Sequence, residues 1–297
     1  MALIGLNVDG TGIEGTEAIW PALDALPEGR AVTVMTHGYR YSPRSPETDP
    51  HTHILSLRPS RPCWKAVSWP RHLHLHRAGA DLGLALGWHA TGALPRVALR
   101  ASRVGGILGG LIGEIHARHP DLRINLVAHS LGARVALAAI ADAPAGSVSR
   151  AILLSGAEYR SAARAAMAAP AGRGAQVLNV TSGENLPFDA MFRVAAPPLW
   201  PADRALCAGL PGLPGWTDLR IDCADTRAAL SAMGYRTRPP VTRVCHWSGY
   251  LRPGLFPLYR DVLGPNGAET LARIATRTGA ARRAPDPVSL DKAMVRA

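Results

Sequence analysis

Residues 124–140 read Ile-Asn-Leu-Val-Ala-His-Ser-Leu-Gly-Ala-Arg-Val-Ala-Leu-Ala-Ala-Ile, and no other stretch restricts the fold as strongly. Its first half is apolar over the length of a strand, while its second half is rich in Ala and Leu at helical spacing. A strand must therefore become a helix around Ser130. A turn that tight needs small residues two before and two after the serine, and Ala128 and Gly132 stand there. The turn aims the Ser130 hydroxyl away from the sheet and leaves the next backbone N–H groups, Leu131 first, at the opening of a helix.

Around this junction the chain alternates strands and helices. Apolar runs at 2–8, 31–36, 63–69, 124–129, 150–155 and 175–182 read as strands; long helical patterns cover 96–118 and 158–169. That rhythm predicts an α/β protein with a mostly parallel central sheet and helices on both faces. Glycines at 105, 106, 109, 110 and 113 leave one face of the 96–118 helix smooth, which suits close packing on the sheet. Residues 195–216 break the rhythm. They are dense in Pro and Gly and carry Trp200 and Trp216, and they read as a Pro/Gly-rich cap, with an insertion extending over 195–240 of a single domain 1–280. From 281 to 297 the chain reads as a flexible basic tail.

Composition narrows the partners. Of 297 residues, 47% are hydrophobic and 19% charged, an ordinary globular balance. The formal charge of +11 is spread over single residues, all arginine except Lys65 and Lys292, and forms no stripe that would grip nucleic acid. No apolar run is long enough to span a bilayer, so no stable membrane insertion is expected. The first residues read as a strand rather than a signal peptide, and the four cysteines show no close pairing; both point to reduced thiols in the cytoplasm.

Two motifs compete with the serine. Gly10-Thr-Gly12-Ile-Glu-Gly15 has the spacing of a dinucleotide loop, but Glu14 would meet the pyrophosphate and Pro21 cuts short the following helix, so a glycine-rich turn is expected and no cofactor. His72, His74 and His76 share one face if the segment is extended, the arrangement a metal site wants, and they make a metallohydrolase an alternative; alternating burial explains the pattern equally well.

Further along the chain, the strand 31–36 delivers His37-Gly38-Tyr39, the strand 175–182 opens into Gly183-Glu184-Asn185-Leu186-Pro187-Phe188-Asp189, and the apolar run 241–245 delivers His246. With Ser68-Trp69-Pro70 and Ala128-His129-Ser130-Leu131-Gly132, these motifs resemble the α/β-hydrolase superfamily, and within it bacterial hydrolases of poorly defined function, over roughly residues 30–265. The resemblance implies a serine hydrolase cleaving a carboxylic ester, esterase- or lipase-like, through an acyl-enzyme on Ser130. His246 would be the base, and the N–H groups of Tyr39 and Leu131 the oxyanion hole. For the acid, Glu184 and Asp189 divide the expectation, with Glu158 and Asp222 behind them. The family usually has Asp near the position of Asn185 or Leu186, so this chain departs from it there. The implied substrate is a small lipophilic or aromatic ester. The same fold could instead serve a non-catalytic interaction protein.

Overall fold

A computed structural model describes residues 3–279 except 61, 62 and 78; the tail expected from 281 onward lies outside the described residues. Eight strands form one sheet: β1 (Leu3–Asp9), β2 (Gly12–Glu14), β3 (Ala31–Thr36), β4 (Leu82–Trp88), β5 (Arg123–His129), β6 (Val148–Leu154), β7 (Gln176–Thr181) and β8 (Trp216–Arg220), in the order β2-β1-β4-β3-β5-β6-β7-β8. Every neighbouring pair is parallel except β1 and β2. This is the mostly parallel α/β sheet that the alternating pattern predicts.

Both faces are covered. The helices Leu94–Arg118, Gly132–Asp142 and Arg160–Ala168 bury their apolar sides with the residues of one core, while Leu255–Leu263 and Gly267–Thr278 build the other together with Trp69 and Tyr250. Strands buried on both faces read as continuous apolar runs, which is why β3, β4 and most of β5 and β7 carry almost no solvent-facing position. Among the described residues, no helix is long and apolar enough to cross a membrane.

Three local readings are corrected. The strand lies at 82–88, not 63–69: Ser68 accepts a hydrogen bond from the Arg71 N–H and caps the short helix Trp69–His72, with Pro70 in its first turn. That helix also removes the common face of the three histidines. His72 bonds the Ser68 carbonyl oxygen through Nδ1, and His74 sits at φ 64 in a turn. Among the described residues no three His, Cys, Asp or Glu side chains gather as metal ligands. The smooth glycine face of Leu94–Arg118 meets a helix rather than the sheet: a Cβ on Gly105 would lie 2.4 Å from Ala138 Cβ and 2.6 Å from the Val135 carbonyl oxygen.

Gly10 and Thr11 turn the chain between β1 and β2, which pair Asp9 with Gly12, so the early glycines close a hairpin. The 195–240 segment holds β8 and the helix Ala224–Ala232, and Leu206 and Leu210 are fully buried in the core. The exposed apolar surface of its first part is Leu199 and Trp200.

Candidate active site

Ser130 follows the last residue of β5 at φ 55, a left-handed conformation that a side chain adopts only under constraint. The constraint comes from both sides of the residue. Its N–H donates to the Leu154 carbonyl at the end of β6, and its own carbonyl accepts from Ala133 at 2.9 Å and Ala157 at 3.0 Å. Close approach to β3 completes the turn. A Cβ on Gly132 would sit 2.7 Å from the His37 carbonyl oxygen, and one on Gly38 would sit 2.6 Å from Ser130 Cβ. Glycine is required at both positions, whereas Ala128 carries its methyl group fully buried in the core.

His37 organises the β3 side. Its Nε2 accepts the Trp88 N–H at 3.0 Å, which leaves the proton on Nδ1 to donate to the Gly38 carbonyl at 2.9 Å. The peptide bond is trans, so a Gly38 carbonyl held against His37 turns the Tyr39 N–H the opposite way. Arg40 donates its own N–H to Ala90, and among the described residues neither the Tyr39 nor the Leu131 N–H has an acceptor. Two free donors on either side of the Ser130 turn are what a developing oxyanion needs. His37 itself is fully buried, and burial lowers its pKa from 6.5 to about 3.

His246 is carried by an irregular loop, with no strand delivering it. Two contacts fix that loop: the Cys245 N–H donates to the Glu184 carbonyl at 2.9 Å, and His129 Nε2 donates to the His246 carbonyl at 3.0 Å. The imidazole lies against Phe188, with centroids 4.7 Å apart, and against His129 at 4.6 Å. Its Nδ1 faces Asn185 Oδ1 at 2.5 Å. Among the described residues no hydrogen bond joins the Ser130 hydroxyl to His246, a contact that commonly tightens only when substrate is bound.

Neither expected carboxylate touches the ring. Glu184 is 6% exposed and forms a buried ion pair with Arg252, while also accepting from the Ser182 hydroxyl. Asp189 stands one residue further out, accepting from Asn185 Nδ2 at 2.9 Å. Glu158 pairs with Arg134 and Asp222 with Arg220. Asn185 therefore occupies the place expected of the acid. The signal for it was the departure around Asn185 and Leu186, where the resemblance implies an Asp. His37 and His129 stand inside motifs visible in the sequence, but nothing local distinguishes a histidine that supports the loop from one that fills space.

The electrostatics follow from this arrangement. Burial, reinforced by the neighbouring His129 ring and the Lys65 ammonium, pushes the His246 pKa well below its ordinary value. Burial likewise lowers His129 to about 4 and raises Asp189 to about 7. At neutral pH the three histidines around Ser130 are uncharged. Outside them lies an aromatic rim: Trp64 and Trp247 meet edge to face at 5.3 Å, with the Lys65 ammonium 3.7 Å from the Trp247 ring centre.

No family model matches the chain, and no curated protein does. Among solved structures, the catalytic core domain of acetyl xylan esterase from Trichoderma reesei is similar, at 15% identity and a TM-score of 0.32, over 84% of this chain and 100% of that one. At that distance, what the site does has to be read from its own geometry.

Proposed function

We propose that the protein is a serine hydrolase that cleaves carboxylic esters through an acyl-enzyme on Ser130. Ser130 supplies the nucleophile, and the free N–H groups of Tyr39 and Leu131 receive the oxyanion. His246 takes the serine proton on Nε2 and returns it to the leaving alcohol. Asn185, not Glu184, orients the imidazole. The observation that carries the reading is the left-handed Ser130 flanked by two unpartnered N–H groups, because a structural serine gains nothing from a strained turn with open donors around it.

Lipophilic or aromatic esters fit the surroundings. Trp64 is 66% exposed, and Leu186, Met191, Val194, Leu199 and Trp200 on or just beyond the helix that follows Asn185 are exposed as well. Trp64 packs on Trp247, which in turn lies against His246, and an exposed apolar side chain beside a polar site favours substrates that bring apolar surface with them. A fluorophosphonate probe tests the proposal directly: stoichiometric labelling of the wild type, abolished in Ser130→Ala, is expected. A folded wild type that takes up no label would leave the alternative, a hydrolase fold used for binding alone.

A further inference from the structure

An asparagine beside a catalytic histidine is a hazard. Its amide can present either oxygen or NH2 to the ring, and the two choices select opposite tautomers. With NH2 toward Nδ1, the ring proton moves to Nε2 and the base is blocked; in serine-protease triads an amide in place of the acid lowers kcat by about 10⁴-fold for this reason. Something must hold the Asn185 amide the other way round.

The chain provides it. Asn185 is 2% exposed and Asp189 7%, one helical turn apart, and the Asn185 amide lies between the Asp189 carboxylate and the imidazole. An ionised carboxylate can only accept hydrogen bonds, so the amide end facing it must be the NH2. The oxygen is then left for His246. Oδ1 accepts only, so Nδ1 must carry the ring proton, and Nε2 is bare. We propose that Asp189 is a positioning residue acting through Asn185: by taking the amide NH2 it turns the amide oxygen to His246 and selects the tautomer that can accept the serine proton.

This rests on Ser130 being the nucleophile, but the tautomer can be read without turnover. A carboxylate has two equivalent oxygens and needs no orienting partner, which gives the experiment its control. ¹⁵N NMR of His246 would be recorded at pH 8, where Asp189 is ionised, alongside kcat and KM on a minimal aryl acetate. Asp189→Leu should shift His246 toward the Nε2–H tautomer and lower kcat about 100-fold with KM nearly unchanged. Asp189→Asn keeps an acceptor oxygen but adds an NH2 that can turn the Asn185 amide round, so its tautomer balance and kcat should fall between those of wild type and Asp189→Leu. In an Asn185→Asp background, adding Asp189→Leu should change kcat by no more than about threefold. If Asp189→Leu does not fold, Asp189→Ala carries the same expectations. An unchanged tautomer in the apolar variant overturns the proposal, as does an equal loss of kcat in both backgrounds. Absent fluorophosphonate labelling with the expected tautomer shifts would overturn the nucleophile instead.

Discussion

The sharpest thermodynamic expectation concerns acid, with Asp189→Asn as the perturbation. His37 and His129 are neutral in the folded protein down to about 3 and about 4, while an unfolded imidazole takes its proton at 6.5. Below 6.5 the unfolded chain therefore binds more protons, and stability falls. Going from pH 7 to pH 5, each histidine removes about 2 kcal/mol, and the lowered pKa of His246 acts in the same direction. Asp189 works the other way. Its folded pKa of about 7 lies above the unfolded 3.8, so its contribution is fully present below 3.8 and lost as pH rises through 7. Between pH 7 and 5 it returns about 2 kcal/mol, roughly half of what His37 and His129 together remove. Asp189→Asn removes that return while leaving the histidines in place. The variant should consequently lose about 2 kcal/mol more than wild type between the two pH values, and everything else that titrates cancels in the difference. Urea unfolding at pH 5, 6 and 7 measures this, provided m stays constant. Parallel stability curves for the two proteins would refute the reasoning, since Asp189 would then titrate as an exposed carboxylate.

Gly38→Ala should lower kcat on an aryl acetate by about 100-fold, because its Cβ would meet Ser130 Cβ at 2.6 Å and the His129 carbonyl at 2.8 Å and must displace the serine turn; an unimpaired variant would show that the turn gives way harmlessly. Arg252→Met leaves Glu184 buried without its cation and should cost about 3–5 kcal/mol in urea unfolding, with the paired change Arg252→Met, Glu184→Gln recovering much of it. Because His246 is held neutral well below its ordinary pKa, kcat/KM of the Asp189→Asn variant, which lacks the carboxylate that titrates at about 7, should stay flat from pH 8 down through 6.5, and an acid limb centred at 6.5 would contradict the burial of the ring. Gly105→Leu should destabilise the protein, since no side chain fits against Ala138, whereas Gly110→Ala, with open space around it, should gain up to about 1 kcal/mol in thermal unfolding.

The central part of the fold was legible because its signals are local. A β3 strand ending in His37-Gly38 and a β5 strand ending at Ser130 each announce themselves within a few residues. β4 was missed because Leu82-Gly-Leu-Ala-Leu-Gly-Trp88 alternates with glycine rather than with polar residues, while 63–69 looked more strand-like until the Ser68 cap and Pro70 made a helix of it. The carboxylates next to His246 were beyond reach for another reason. Glu184 is drawn away by Arg252, 68 residues later in the chain, and no reading of local spacing contains that partner. The pairing between distant segments decides which of three neighbouring polar side chains faces the ring.

A base kept neutral by burial is also a weak base. The imidazolium that forms as Ser130 attacks would stand beside an amide and a second neutral imidazole, with the Asp189 carboxylate one side chain removed and the Lys65 ammonium opposing the new charge. Little in these surroundings rewards taking the proton early. The burden of reaching the tetrahedral state passes to the carbonyl itself, so electron-poor acyl donors and stable leaving groups gain most, and rates should rise steeply with leaving-group acidity. Such a site sorts its substrates by their intrinsic reactivity before it sorts them by shape.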